Sequence, residues 1–218
     1  MNAKEIADWT ERISGWIDGA EGGWRTYTYS ERLHLAEAAL DTVPEGGKLL
    51  EIGTYTGLST SVLLQVARSK KAKIALCDMF MWTRGYEEGG VEAKLREVLA
   101  QFPDVWWRMY CTSSEIAKYV LTTTPSTHGV TCPPFINHDL DFLHIDGDHM
   151  DVKSDCKLWF PHLKPKCTVA FHDANPNPAA PIGCMVVKDA LEWTPEAEGW
   201  RESYWSKDEN CLMVRRRG

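Results

Sequence analysis

The sequence predicts an α/β fold: one mostly parallel sheet with helices on both faces and a final strand that runs backwards. Three observations carry this. Short apolar runs of strand length alternate with stretches of helical periodicity through most of the chain, the pattern of right-handed βαβ crossovers. Only KDEN separates the last two β-like stretches, a link that permits an antiparallel pair and excludes a parallel crossover. The 218 residues are enough to bury one full core.

In chain order, helical patterns come first at about 3–18 and 30–40, the second opened by Ser30 as a cap. KLLEIG (48–53), AKIALCD (72–78), VWWRMY (105–110), DFLHID (141–146) and CTVAFHD (167–173) read as strands. Helices are expected after each, at 58–69, 90–101, 114–122, 151–160 and 183–193. RESYWS (201–206) and CLMVRRR (211–217) form the closing antiparallel pair. Two proline-rich stretches, 122–139 and 174–183, interrupt the alternation, and loops of that length are often functional covers. The second directly follows the fifth strand, so a covering role is expected there. The expected organisation is a single domain, 1–218, with a helical extension over 1–44 and a core over 45–217.

Composition narrows the function classes. The chain is 44% hydrophobic and 25% charged, as soluble globular proteins are. Its net charge of −7 argues against nucleic acid or an anionic membrane as partner. The amphipathic, acidic N-terminus has no apolar signal core, and no run approaches the roughly 20 apolar residues of a membrane span. Seven scattered cysteines without a CxxC pair fit reduced thiols and a cytoplasmic location. A homo-oligomer is left open.

The chemistry concentrates at strand ends, where open parallel sheets bind ligands. LLEIGTYTGLSTSVLL (49–64) passes from strand through a glycine turn into a helix. Gly53 and Gly57 allow a tight turn and close backbone approach. A dinucleotide fingerprint starting at Gly53 would need glycines at 55 and 58, which are Tyr55 and Leu58. Asp78 ends the second strand, where a carboxylate can accept from both ribose hydroxyls of an adenosine. The fourth strand delivers Asp146, Gly147, Asp148 and His149 to the same edge, and the fifth delivers His172 and Asp173. Neighbouring strands lie about 4.8 Å apart, so acids at equivalent ends can share an ion. Oxygen-rich ligation suits Mg²⁺ or Mn²⁺, with the imidazole of His172 favouring the softer of the two. His149 has the ordinary chemistry of a general base. His144, inside its strand, reads as a core histidine.

The acidic-x-Gly-x-x-x-Gly spacing from Glu51 to Gly57 resembles the first motif of class I S-adenosylmethionine (SAM) methyltransferases. The form E-I-G-x-Y-T-G-x-S is similar to the small-molecule O-methyltransferases of the catechol, caffeoyl-CoA and macrocin (sugar) types. IDGDH…FHD strengthens the resemblance to the macrocin type. It implies a Rossmann-like three-layer sandwich with strand order 3-2-1-4-5-7-6. It also implies SAM contacts from Glu51, Gly53, Tyr55, Gly57, Asp78 and Asp146, with Ser59 meeting the methionyl carboxylate and Ser113 and Ser114 along the adenine. Asp146 with the 172–173 pair would hold the ion, and His149 would be the base. The activity implied is methyl transfer to a hydroxyl of a small sugar, polyol or catechol-like molecule. A SAM-binding partner protein without catalysis, or a methyltransferase acting on a macromolecule, is the alternative. Substrate specificity is expected from the stretches 78–90, 174–183 and 24–30, with Trp82, Arg84 and Tyr86 as candidate pocket residues.

Overall fold

The computed structural model describes residues 1–17, 27–80, 90–122, 126–127, 130–131, 135–206 and 212–218. A seven-stranded sheet is built from β1 (Lys48–Ile52), β2 (Lys73–Asp78), β3 (Trp106–Cys111), β4 (Leu140–Ile145), β5 (Leu163–Phe171), β6 (Trp200–Trp205) and β7 (Met213–Arg217). The strand order is β3-β2-β1-β4-β5-β7-β6. The first five strands pair in parallel, and β7 runs antiparallel to both of its neighbours. This is the expected three-layer α/β architecture, reversed strand included.

Period-two alternation explains the layers. Leu49, Ile74, Leu76, Phe142, Ala170 and Val214 point into one core. Leu50, Ala75, Leu143, Val169 and Met213 point into the other. On the first face pack α1 (Ala3–Ile17), α2 (Tyr29–Thr42), α3 (Leu58–Lys70) and α4 (Gly90–Leu99). On the second pack α5 (Ser114–Thr122), α6 (Val152–Trp159) and α7 (Pro181–Trp193). The N-terminal segment is therefore part of a main core, with Ile6, Ile17, Tyr27 and Leu35 among its buried members.

Two expectations need correction. The cap of α2 is Thr28, not Ser30: the Thr28 hydroxyl accepts from Glu31 N at 3.2 Å and Glu31 Oε2 accepts from Thr28 N at 2.8 Å. Thr28-x-x-Glu31 satisfies two end amides reciprocally, whereas Ser30 has Leu33 three residues on. The Ser30 hydroxyl instead meets that of Tyr204 at 3.3 Å. The fifth strand also begins at Leu163 rather than 167. Its ladder with β4 is irregular after the Leu140–Leu163 pair, so Pro165, exposed and without an N–H, is accommodated inside the strand.

Register positions the functional edge. Ile52 pairs with Cys77 on one side and Ile145 on the other, and Ile145 pairs with Phe171. The next residues, Gly53, Asp78, Asp146 and His172, therefore form one row at the C-terminal ends of four adjacent parallel strands.

Candidate active site

The β1–α3 turn forms one half of the site. Gly53 has φ +80° and Gly57 φ +96°. A Cβ on Gly53 would lie 2.0 Å from the carbonyl oxygen of Asp146, so only glycine lets β1 and β4 end side by side. Tyr55 also takes a left-handed conformation, φ +43°. Asp78 draws the turn together: its Oδ2 accepts from Thr54 N at 2.7 Å and Tyr55 N at 2.8 Å, and its Oδ1 from Phe80 N at 2.6 Å. The Asp78 carboxylate thus stands beside the glycine turn, with both oxygens held by backbone amides.

Glu51 and Ser59 face inward. Glu51 is fully buried, and its carboxylate accepts the hydroxyls of Ser59 and Thr60, each at 2.6 Å. His144 Nδ1 completes the set at 3.1 Å from Glu51 Oε1. A buried carboxylate needs such partners, and these couple the end of β1 to the first turn of α3. Ser113 sits at the start of α5, its hydroxyl 3.5 Å from Ile116 N, and Ser114 is the first residue of that helix.

The other half gathers at the ends of β4 and β5. Asp146 Oδ1 lies 3.0 Å from His172 Nδ1 and 3.3 Å from His149 Nε2. His149 Nε2 is also 3.4 Å from Asp173 Oδ2. Asp173 adopts φ +54°, the left-handed region that Asp tolerates better than most residues. Ligand atoms of Asp146, His149 and Asp173 all lie within 4.8 Å of one another. Of the expected ion ligands, Asp146 and Asp173 therefore converge with His149, while His172 lies behind Asp146. Asp148 instead accepts from Met150 N at 2.9 Å.

Electrostatics follow from this packing. Burial raises the Asp146 carboxyl, but the charges and hydrogen bonds of His172 and His149, with His144, outweigh it and hold the group well below the usual carboxylate range. Burial disfavours protonated His172, yet Asp146, then Asp173 and Glu31, bring it up to about 9. His149 is likewise raised: its hydrogen bond to Asp146 and the charges of Asp146 and Asp173 overcome its burial.

Three contributors were not assigned to the site residue by residue, although Tyr27 lies in the 24–30 stretch expected to shape specificity and His144 was expected in the core. Tyr27 is buried, its ring stacked on that of His172 with centroids 4.0 Å apart, and its hydroxyl 2.6 Å from His144 Nε2 and 3.3 Å from Asp146 Oδ2. Burial, then the charges of Asp146 and Glu31, raise its pKa well above the ordinary value. Glu31 is also buried, and its pKa is raised by burial against the opposing pull of His172. His144 is a core histidine as expected, but it links Glu51 to Tyr27. Only the Thr28-x-x-Glu31 box was readable locally; that the residue before it meets a strand more than 100 positions away is not. His34, expected at the surface or in packing, stacks on Tyr204 with centroids 3.6 Å apart. Trp82, Arg84, Tyr86, His128, Cys132 and Cys211 lie outside the described residues, as does part of 122–139. In the 174–183 stretch, Ala174 O accepts from Trp205 Nε1 at 2.8 Å.

Comparison with known proteins sets this site in context. A family model described as "Methyltransferase domain" matches residues 50–174. An uncharacterized protein, y4gI of Sinorhizobium fredii, is 23% identical over 130 residues; the match covers 59% of this chain and 13% of that protein. Among solved structures, the cofactor-bound Rv0187 from MTB superposes with a TM-score of 0.64 at 14% identity, covering 98% of this chain and 89% of the other. The O-methyltransferase TomG of Streptomyces achromogenes, involved in tomaymycin synthesis and solved with SAM, gives 0.62 at 13% identity, with 98% and 90% covered.

Proposed function

The chain belongs to the methyltransferase-domain family, whose model covers residues 50–174, and from that premise we propose that it moves the methyl group of SAM to a hydroxyl of a small molecule. The observation that carries this is the meeting of Asp146, His149 and Asp173 on the same sheet edge as the Gly53 turn and Asp78. The SAM- and cofactor-bound structures of similar fold support SAM as the donor. The seat proposed for it is the Gly53–Gly57 turn with Asp78 and the α5 start at Ser113 and Ser114.

In the reaction the acceptor oxygen forms a bond to the methyl carbon as the carbon–sulfur bond breaks, and the electron pair leaves on sulfur. The sulfonium is already activated, so alignment and exclusion of water do most of the work. The acceptor proton passes to the His149 imidazole. Nε2 of that ring faces both Asp146 and Asp173, which stabilise the imidazolium as it forms. His172, stacked on Tyr27 and bonded to Asp146, keeps the carboxylate oriented.

The donor set fits a divalent ion: two carboxylates and an imidazole converge on one point, and they suit Mg²⁺ or Mn²⁺. Asp146 and Asp173 would hold it through their carboxylates, leaving His149 free to take the proton, and such an ion would lower the pKa of a coordinated hydroxyl. Among the described residues no helix is long and apolar enough to cross a membrane. The acceptor proposed is a sugar, polyol or catechol-like molecule.

The test is calorimetric titration with SAM, then incubation with methyl-labelled SAM and a panel of hydroxylated acceptors, with and without chelator. Label on an acceptor oxygen is expected, and restoration by Mg²⁺ or Mn²⁺ after chelation would establish the ion. Tight SAM binding with no acceptor labelled would make the chain a binding module instead.

A further inference from the structure

We infer that Tyr27, contributed by the segment ahead of the residues the family model covers, is a positioning residue of this site. It fixes Asp146 and joins it to the cofactor side of the fold. The inference rests on reading Asp146 and His149 as the reacting groups.

Asp146 is held from two directions. Its Oδ1 is shared by His149 and His172, at 3.3 and 3.0 Å. A carboxylate held by one oxygen alone can still rotate about its last torsion, whose well is broad. The Tyr27 hydroxyl, 3.3 Å from Oδ2, restrains that rotation. The Tyr27 ring lies on His172 at an interplanar angle of 19°, so one side chain restrains both the carboxylate and one of its imidazole partners.

Beyond Tyr27 the contacts continue without a break. The hydroxyl, donating to Asp146, accepts from His144 Nε2 at 2.6 Å, and His144 Nδ1 donates to Glu51 Oε1 at 3.1 Å. Glu51 in turn accepts Ser59 and Thr60 from the first turn of α3. Tyr27, His144 and Glu51 are each no more than 1% exposed. A polar chain this deep is rigid when every link is satisfied, and groups standing behind a functional side chain set its direction. Here the chain runs from the helix behind the SAM turn to the far oxygen of Asp146.

Packing alone would need only the ring, which phenylalanine supplies. Tyr27→Phe therefore separates the two roles. The experiment records long-range ¹H–¹⁵N spectra of the histidine rings in the full chain, then SAM affinity, kcat and acceptor KM. In Tyr27→Phe the His149 and His172 ring signals should shift. Turnover should fall on the order of 10–100-fold, as for other residues that orient a reacting group. SAM affinity should stay within about twofold, since no SAM contact is removed. Tyr27→Leu, which also removes the stack, should lose more. If Tyr27→Phe does not fold, His144→Gln cuts the same chain one link earlier and must shift the same signals. Ring signals identical to wild type, or unchanged kcat in an active enzyme, would overturn the assignment. If the wild type methylates no acceptor, the proposed function fails and the ring signals alone decide the role of Tyr27.

Discussion

Gly53→Ala tests whether the edges of β1 and β4 form one tight seat. The added methyl would stand 2.0 Å from Asp146 O, 2.3 Å from its carbonyl carbon and 2.7 Å from Gly147 N. Non-bonded atoms settle near 3.5–4.0 Å, so two backbones must separate by roughly 1 Å or more, and no rotamer change can relieve the overlap. The left-handed φ of +80° costs an alanine about 1–2 kcal/mol. Overpacking adds about 1–3 kcal/mol, and weakening the 2.7 Å bond from Asp146 N to Ile52 O about 1 more. The expected loss is about 3–6 kcal/mol, a large share of the 5–15 kcal/mol typical of a domain. Gly57→Ala is the control. It carries a similar backbone strain, but its Cβ meets only side chains: the Leu95 tip at 2.8 Å, which can move, and Val98 at 3.4 Å and beyond, which is close to ordinary contact. Guanidinium unfolding of both variants measures the difference, and SAM titration measures the seat. A Gly53→Ala protein no less stable than Gly57→Ala, with normal SAM affinity, would refute the reasoning.

Two further outcomes concern stability. Thr28→Ala should cost about 1 kcal/mol through loss of the α2 capping box, while Ser30→Ala stays within about 0.5 kcal/mol; urea unfolding that reverses this order would restore Ser30 as the cap. His162 is 9% exposed, and burial, then His138 and Lys118, lower its pKa below 6.5. The folded state therefore takes up this proton less readily than the unfolded chain. The stability contribution is complete above the unfolded pKa and is lost as pH falls through it toward the folded value. Between pH 7.5 and about 5.5, wild type should lose more stability than His162→Gln, measured by urea unfolding; parallel losses would remove His162 from the acid response.

Much of this was legible because strand ends are local features. Gly53 and Gly57 mark a turn by composition alone, and Asp78, Asp146, His149, His172 and Asp173 each follow an apolar run that can only be a strand. Once five such runs are parallel, their ends must share an edge. KDEN likewise determined the direction of the last strand through its length. What one dimension hides is side-chain direction at that edge. The sequence marks His172 as an ion ligand and His149 as the base, yet it is His149 that groups with the two carboxylates, while His172, though 3.0 Å from Asp146, is drawn under the Tyr27 ring. Glu51 and Ser59 sit on the glycine motif but bond to one another inside the core, because odd positions of β1 face α3. The stretch 24–30 was expected near the substrate, but the contacts of Tyr27 were illegible for a different reason: its partners His144 and Asp146 are brought to it only by the packing of α2 on the sheet. The Thr28 box was present in the sequence, and Ser30 drew attention from it by standing nearer the apolar repeat.

At the centre is the claim that His149, braced by Asp146 and Asp173, receives the acceptor proton as methyl leaves sulfur. Single-turnover methyl transfer by His149→Ala at saturating SAM addresses it most directly. A fall on the order of 10²–10⁴-fold, with SAM affinity unchanged, is the expected result for a general base. Transfer within about twofold of wild type would contradict it.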